Sequence, residues 1–244
     1  MTEPLFYSEQ LAEPGATLVL TGDEAHHATA SRRLQHGDTL WLFDGHGGIA
    51  RATLVHSPTR GRTLELRIEE RRSEPAPKPE IHLACALPKG DRQQVLLGMT
   101  TQLGMAHFTP LACERSVVKP GANSMARWKK ICLEACKQSR RLHLPSIEAT
   151  STVRDIVERM KAAGSSVWLA HSAAQAVSVS TATNQGAKHV TILIGPEGGF
   201  TEAEIEQAVA AGARMLTLGT SILRIETAAV TMVAAFALTA GSSA

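Results

Sequence analysis

The chain carries neither of the two familiar phosphate-gripping patterns. No G-x-G-x-x-G opens a helix after a first strand, and no G-x-x-x-x-G-K-[ST] occurs in its 244 residues. That removes the ordinary dinucleotide-binding and P-loop readings. No apolar run follows a basic start, which argues against a secretory leader. The longest apolar pattern, Ala228 to Ala240, is too short and too interrupted by threonine to span a bilayer, so no membrane partner is expected. Four cysteines, Cys85, Cys113, Cys132 and Cys136, form no C-x-x-C pair and no zinc-like set with histidine. Cys132 and Cys136 stand one helical turn apart and read as buried free thiols, so no metal is expected and a reducing, cytoplasmic setting fits.

The chain also lacks an overall excess of one charge, with a net of +2. Its distribution is uneven. Residues 1–72 hold eight Arg against ten acids, whereas 73–160 hold thirteen Lys and Arg against eight acids. Between 115 and 141 there are eight basic residues and one acid, Glu134. Such a concentration suits a polyanionic partner, and equally a solvated helix face. The 43% hydrophobic and 20% charged fractions are those of a globular protein with material for one large or two modest domains.

What stands out is a pair of strand-loop-helix corners between Thr191 and Met232. The first reads TILIGPEGGFTEAEIEQAVAAG and the second ARMLTLGTSILRIETAAVTMVAAF. In each, an aliphatic run ends in glycine, opens into a loop and continues into a helix pattern. Corners of this kind turn free backbone N–H groups toward a polar or anionic ligand. Gly198 and Gly199 permit close backbone approach, and Thr201 with Glu204 forms a capping-box pattern that starts the following helix. Two such corners at C-terminal strand ends are where open α/β sheets place ligands.

Upstream, closely spaced strands with tight turns suggest a small barrel. Strands are expected at 17–20, 38–43, 49–56 and 62–70, with a helix from Asp23, as N-cap, to Leu34. His26, His27, Arg32 and Arg33 fall on that helix. Three prolines between Ser73 and Pro79 cannot continue a sheet, which places a linker at 73–80 between domains at 1–72 and 81–244. From Ile81 strand and helix alternate: strands at 81–87, 107–112, 166–170, 190–194 and 214–218, helices at 91–103, 125–138, 152–163, 202–211 and 225–240. Alternation predicts a mostly parallel sheet covered on both faces. The Ser-, Thr- and Ala-rich stretch from His171 to His189 reads as a loop.

Ile194-Gly195-Pro196-Glu197-Gly198-Gly199, Leu218-Gly219 and Leu223-Arg224-Ile225-Glu226-Thr227-Ala228 resemble the C-terminal signature of SPOUT-class methyltransferases. The chain is most similar to the RsmE family, which methylates N3 of a uridine in 16S ribosomal RNA. Further matches are Arg32-Arg33-Leu34, Leu42-Phe43-Asp44-Gly45, Lys89-Gly90, Glu114-Arg115-Ser116, the run Ala135 to Arg141, Pro145 and Ile147. The resemblance implies an α/β fold: a C-terminal SPOUT trefoil-knot domain binding S-adenosylmethionine, behind an N-terminal PUA-like small β-barrel for RNA recognition. It also implies a homodimer built through small-residue helices such as 225–236, and 16S rRNA within the small ribosomal subunit as partner. An enzyme of this class acting on another RNA site or on ribose 2′-OH fits the same motifs, as does an assembly factor without turnover. The chain departs from the family pattern at Gly98, Met99, Gln102, Lys137 (usually acidic), Arg140 (often a small residue), Ser221 and Ile225.

By the same resemblance, Leu169, His171, Ile194, Gly195, Pro196, Glu197, Gly198, Gly199, Leu218, Gly219, Ser221, Leu223, Arg224 and Thr227 form the cofactor site. Arg32, Arg33, Lys89, Gln138 and Arg141 face RNA; Arg can fork onto phosphate or uracil carbonyls, and Gln can read a base edge. Methyl transfer from a sulfonium needs alignment with N3 and removal of the N3 proton. Arg224 is placed to stabilise the uracil anion. Glu226 or Glu197 accepts the proton or orients Arg224; both roles stay open, and Glu226 equally suits a helix N-terminal carboxylate facing the macrodipole.

Overall fold

The computed structural model describes residues 3–31, 33–56, 63–172 and 175–239. The chain folds as two compact units, 1–76 with 136–144, and 77–135 with 145–244.

The first unit is built on a five-stranded sheet of order β1-β3-β4-β5-β2. These are β1 (Leu5–Tyr7), β2 (Thr17–Thr21), β3 (Thr39–Phe43), β4 (Gly48–His56) and β5 (Thr63–Ser73). β1 pairs parallel with β3, and the other pairs are antiparallel. Alternation along β5 buries Leu64, Leu66 and Ile68 and exposes Glu65, Arg67 and Glu69, as a one-sided strand requires. Those apolar side chains share one core with Phe6, Leu20, Leu40, Leu42 and Leu54. The three-residue β1 escaped the sequence pattern because it is held by tertiary pairing alone.

The helix expected over 23–34 is shorter. α1 (Gly22–His26) passes into a π-helical turn over His27–Ser31. Thr29 Oγ1 donates back to the carbonyls of Ala25 and His26 at 3.0 and 3.1 Å, the kind of local bond that bends helices. Asp23 sits in the first turn, and the N-cap position is Thr21. Arg33 lies beyond the turn, exposed, with φ of 53°. Arg32 lies outside the described residues.

The second unit has an all-parallel seven-strand path, β11-β13-β10-β12-β6-β7-β8, with β9 also pairing β7. Its elements follow as β6 (Glu80–Cys85), α2 (Arg92–Gln102), β7 (Met105–Ala112), α3 (Ser124–Ser139, of which residues 136–139 belong to the first unit), β8 (Ser146–Ile147), β9 (Ser151–Thr152) and α4 (Val153–Ala162). Then come β10 (Ser166–Ala170), β11 (Val177–Ser178), α5 (Val179–Thr183), β12 (His189–Ile194), α6 (Glu202–Ala210), β13 (Arg214–Thr217) and α7 (Ile225–Thr239). The stretch read as a loop therefore holds β11 and α5, whose start is capped by Ser178 accepting from the Thr181 N–H.

Both faces of this sheet are covered, which is why its central strands are nearly continuous apolar runs. Val167 and Leu169 turn toward a core shared with Val153, Ile156, Val157 and Ala208 of α4 and α6. Trp168, between them, faces the other way and meets Phe236 of α7, ring centroids 6.4 Å apart. All four cysteines are buried thiols, among them Cys132 and Cys136, for which the one-turn spacing led to that expectation. Helix α3 ends with Arg140 at φ of 59°, and the Arg141 N–H donates to the Cys136 carbonyl at 3.0 Å, a Schellman-type stop.

Candidate active site

Because β6, β10, β12 and β13 are parallel, the loops that leave them open on one edge of the sheet. Chain order reverses there: β12 lies between β10 and β6, and β13 beyond β10. This is the topological switch point at which open α/β sheets leave a crevice. A cavity of about 200 Å³ occupies it.

Its walls come from three loops and one helix. The end of β10 supplies Ala170, His171 and Ser172. The end of β12 supplies Ile194, and the loop after it Gly195, Pro196, Glu197, Gly199 and Phe200. The end of β13 and the loop after it supply Leu216 to Gly219 and Ser221 to Leu223, and α7 closes the floor with Ile225, Ala228 and Met232. The two glycine-bearing corners therefore meet over one space.

Glycine is required here for two different reasons. A Cβ at Gly195 would stand 3.0 Å from ring carbons of Phe200, a side chain 5% exposed beneath the loop. Gly219 has φ of 122°, a conformation side chains resist, in a turn where Thr217 Oγ1 accepts its N–H at 3.1 Å. The first loop turns tightly as the Gly199 N–H donates to the Pro196 carbonyl at 2.8 Å, and Thr201 with Glu204 then forms the capping box expected from sequence. Glu204 also accepts the Glu114 N–H at 2.9 Å, and Arg115 Nη1 donates to the Gly198 carbonyl at 2.8 Å. The Glu114-Arg115 stretch after β7 thus straps the glycine loop.

One cation serves both acidic candidates. Arg92 Nη1 donates to Glu197 Oε1 at 2.7 Å and stands 3.8 Å from Glu226 Oε2. The bond from Arg92 holds the exposed Glu197 carboxyl below the usual carboxylate range, with Lys89 and Arg224 adding to the pull. Glu226 is 8% exposed, and its Oε2 is buried without a hydrogen-bond partner among the described residues. Arg224 is exposed between the lining residues Leu223 and Ile225. Among the described residues no three side chains are gathered that could hold a metal, and no helix is long and apolar enough to cross a membrane.

Of the residues assigned to the cofactor from sequence, His171, Ile194 to Glu197, Gly199, Leu218, Gly219, Ser221 and Leu223 line the cavity. Leu169 is fully buried in the neighbouring core, while Gly198, Arg224 and Thr227 border the lining without belonging to it. Sequence reasoning missed Ala170, Ser172, Phe200, Leu216, Thr217, Ile222, Ile225, Ala228 and Met232 as lining residues, and Arg92 beside them. Phe200 lies five residues after Gly195, the glycine whose missing Cβ leaves room for its ring.

The basic stretch separates into two groups. Arg115 holds the Gly198 carbonyl, Arg140 reaches the Glu3 carbonyl, and Lys137 pairs with Glu24 at 2.8 Å with side chains only 9% and 14% exposed. Lys119, Arg127, Lys129 and Lys130 remain exposed on and before α3. Lys89 is exposed after β6, Gln138 is exposed on the last turn of α3, and Arg141 is half-buried.

A crevice at the switch point, walled by two glycine corners, lies in a chain that matches an RNA methyltransferase domain model over residues 74–237 and an RNA methyltransferase PUA domain model over 20–63. The chain is 33% identical to ribosomal RNA small subunit methyltransferase E of Mycobacterium bovis, covering 94% of this chain and 89% of that protein. It is 34% identical to the enzyme of the same name from Synechocystis, covering 90% and 72%. The crystal structure of ribosomal RNA small subunit methyltransferase E from Neisseria gonorrhoeae bound to S-adenosyl methionine superimposes with a TM-score of 0.86 at 29% identity, covering 96% of both chains. A methyltransferase from Legionella pneumophila in complex with the same cofactor gives 0.86 at 28%, covering 97% of both. The chain is thus a PUA-bearing RNA methyltransferase by class. It belongs to the ribosomal RNA small subunit methyltransferase E family.

Proposed function

We propose that this chain transfers the methyl group of S-adenosylmethionine to N3 of a uridine in 16S rRNA of the small ribosomal subunit, as a cytoplasmic homodimer. The observation that carries the reading is the meeting of the loops after β12 and β13 over one cavity at the switch point of the parallel sheet. Relatives named for rRNA methylation, and neighbours holding the methyl donor, support it.

The residues present fit that donor. Ile194, Phe200, Leu216, Ile225 and Met232 offer an apolar floor for a nucleobase and a methionine chain, and Leu218, Gly219 and Leu223 offer backbone groups at the rim. Glu197 gives the rim a carboxylate suited to a cationic ligand. When bound, the donor supplies an electrophilic methyl on a positively charged sulfur. The chain aligns it and handles the uridine proton. Arg224 stabilises the charge that develops on uracil O2 and O4, and a carboxylate, Glu226 or Glu197, takes the N3 proton.

Lys119, Arg127, Lys129 and Lys130 supply phosphate contacts, with Arg33, Lys89, Gln138 and Arg141 as further RNA contacts. The barrel at 1–72, the linker at 73–80, the knotted domain at 81–244 and the dimer belong to the same reading. Exposed Thr227, Thr231 and Leu238 share one side of α7, which suits helix-to-helix approach in a dimer. Calorimetry with S-adenosylmethionine tests the assignment: one molecule bound per chain is expected, and no heat of binding at millimolar ligand would remove it.

A further inference from the structure

Two walls of the cavity depend on a residue that lines neither. Arg92 opens α2 on the loop after β6, and its Nη1 donates to Glu197 of the glycine loop at 2.7 Å. The same nitrogen stands 3.8 Å from Oε2 of Glu226 in the first turn of α7. The Arg92 side chain is 29% exposed, that of Glu226 11% and that of Glu197 54%, so this cation sits between a buried carboxylate and a rim carboxylate. Glu197 lies on the cavity wall, and Glu226 adjoins Ile225, which also lies on it. Without the guanidinium, the buried Oε2 of Glu226 would lose the counter-charge beside it, and the two carboxylates would repel across the space that the cation now occupies.

We propose that Arg92 is a positioning residue of the methyl-donor site: through Glu197 and Glu226 it fixes the spacing between the glycine loop and the start of α7. It touches neither methyl donor nor uridine. The inference rests on the reading of the cavity as the donor site. Because a single nitrogen serves both carboxylates, charge and reach matter here, and the planar fork of arginine does not. Lysine should therefore substitute in large part.

The test is steady-state methyl transfer to small-subunit rRNA, with calorimetry of S-adenosylmethionine, on the wild type, Arg92→Ala and Arg92→Lys. Arg92→Ala should raise KM and Kd for the donor about tenfold, the size of one charge-assisted hydrogen bond, while kcat at saturating donor stays within about threefold. Arg92→Lys should recover most of that loss. Adding Glu197→Gln to Arg92→Ala should weaken binding far less than the two single effects multiplied, since both remove one interaction. Unchanged donor affinity in Arg92→Ala overturns the proposal, as does a fall in kcat with KM unaltered, or a lysine variant as impaired as alanine. Wild-type titration comes first: no binding there removes the donor assignment and this proposal with it, whereas normal wild-type binding with an unaffected variant removes this proposal alone.

Discussion

Arg115 Nη1 donates to the carbonyl of Gly198 at 2.8 Å, joining the loop after β7 to the glycine loop after β12. The alkyl part of Arg115 also packs on Gly198, where an added Cβ would meet its Cδ at 3.4 Å. A guanidinium thus holds from outside the loop whose inner side forms the cavity wall. Arg115→Ala should weaken S-adenosylmethionine binding about tenfold, the size of one charged hydrogen bond, with Tm lowered only slightly. Calorimetry and a thermal melt on the same sample check both halves.

Gly195→Ala should harm stability and binding together. The new methyl would stand 3.0 Å from the Phe200 ring, which is buried beneath the loop. Overpacking of this kind costs about 1–3 kcal/mol. The expected outcome is a lower urea midpoint and weak donor binding, and Gly195→Ala combined with Phe200→Leu should regain part of the midpoint.

Arg224→Ala separates chemistry from folding. The side chain is exposed and makes no hydrogen bond or ion pair among the described residues, so its removal should leave stability within about 0.5 kcal/mol. If it stabilises the uracil anion, turnover should fall ~10²-fold or more while donor affinity holds. Single-turnover kinetics with a parallel melt resolve the two.

His82 gives the fold an acid limb. Burial holds its imidazole down to about 4 from the usual 6.5, with Glu148 and Glu80 opposing and His107 and Arg159 assisting. Thr109 Oγ1 donates to Glu148 and stands 2.7 Å from His82 Nε2, so the ring nitrogen there is the donor. The unfolded chain therefore binds this proton before the folded one does, and stability falls as pH drops from about 6.5 toward 4. His82→Gln keeps a donor and loses the titration, so urea midpoints between about pH 7 and pH 4 should decline less steeply in that variant.

The parallel sheet and the crevice were legible because both are written in local pattern. Unbroken aliphatic runs such as Thr191 to Ile194, ending in glycine, mark strands buried on both faces and the loops that leave them, and Thr201 with Glu204 writes a helix start. The parts that escaped depend on partners far away in the chain. Arg92 is one more charge at a helix start until Glu197, 105 residues on, gives it a role. Lys137 departs from the family pattern, and the acid that accommodates it is Glu24, 113 residues earlier. The strand at Leu5–Tyr7 likewise follows from pairing with Trp41 to Phe43, whereas the π-helical turn at His27–Ser31 goes with a local back-bond from Thr29 to Ala25.

The most direct measurement is nucleoside mass spectrometry of unmodified small-subunit rRNA incubated with this protein and S-adenosylmethionine carrying a labelled methyl group. The expected product is labelled N3-methyluridine at a single site, lost with Arg224→Ala. Label on ribose 2′-oxygen, or on no nucleoside at all with a donor-binding protein, would contradict base methylation at N3.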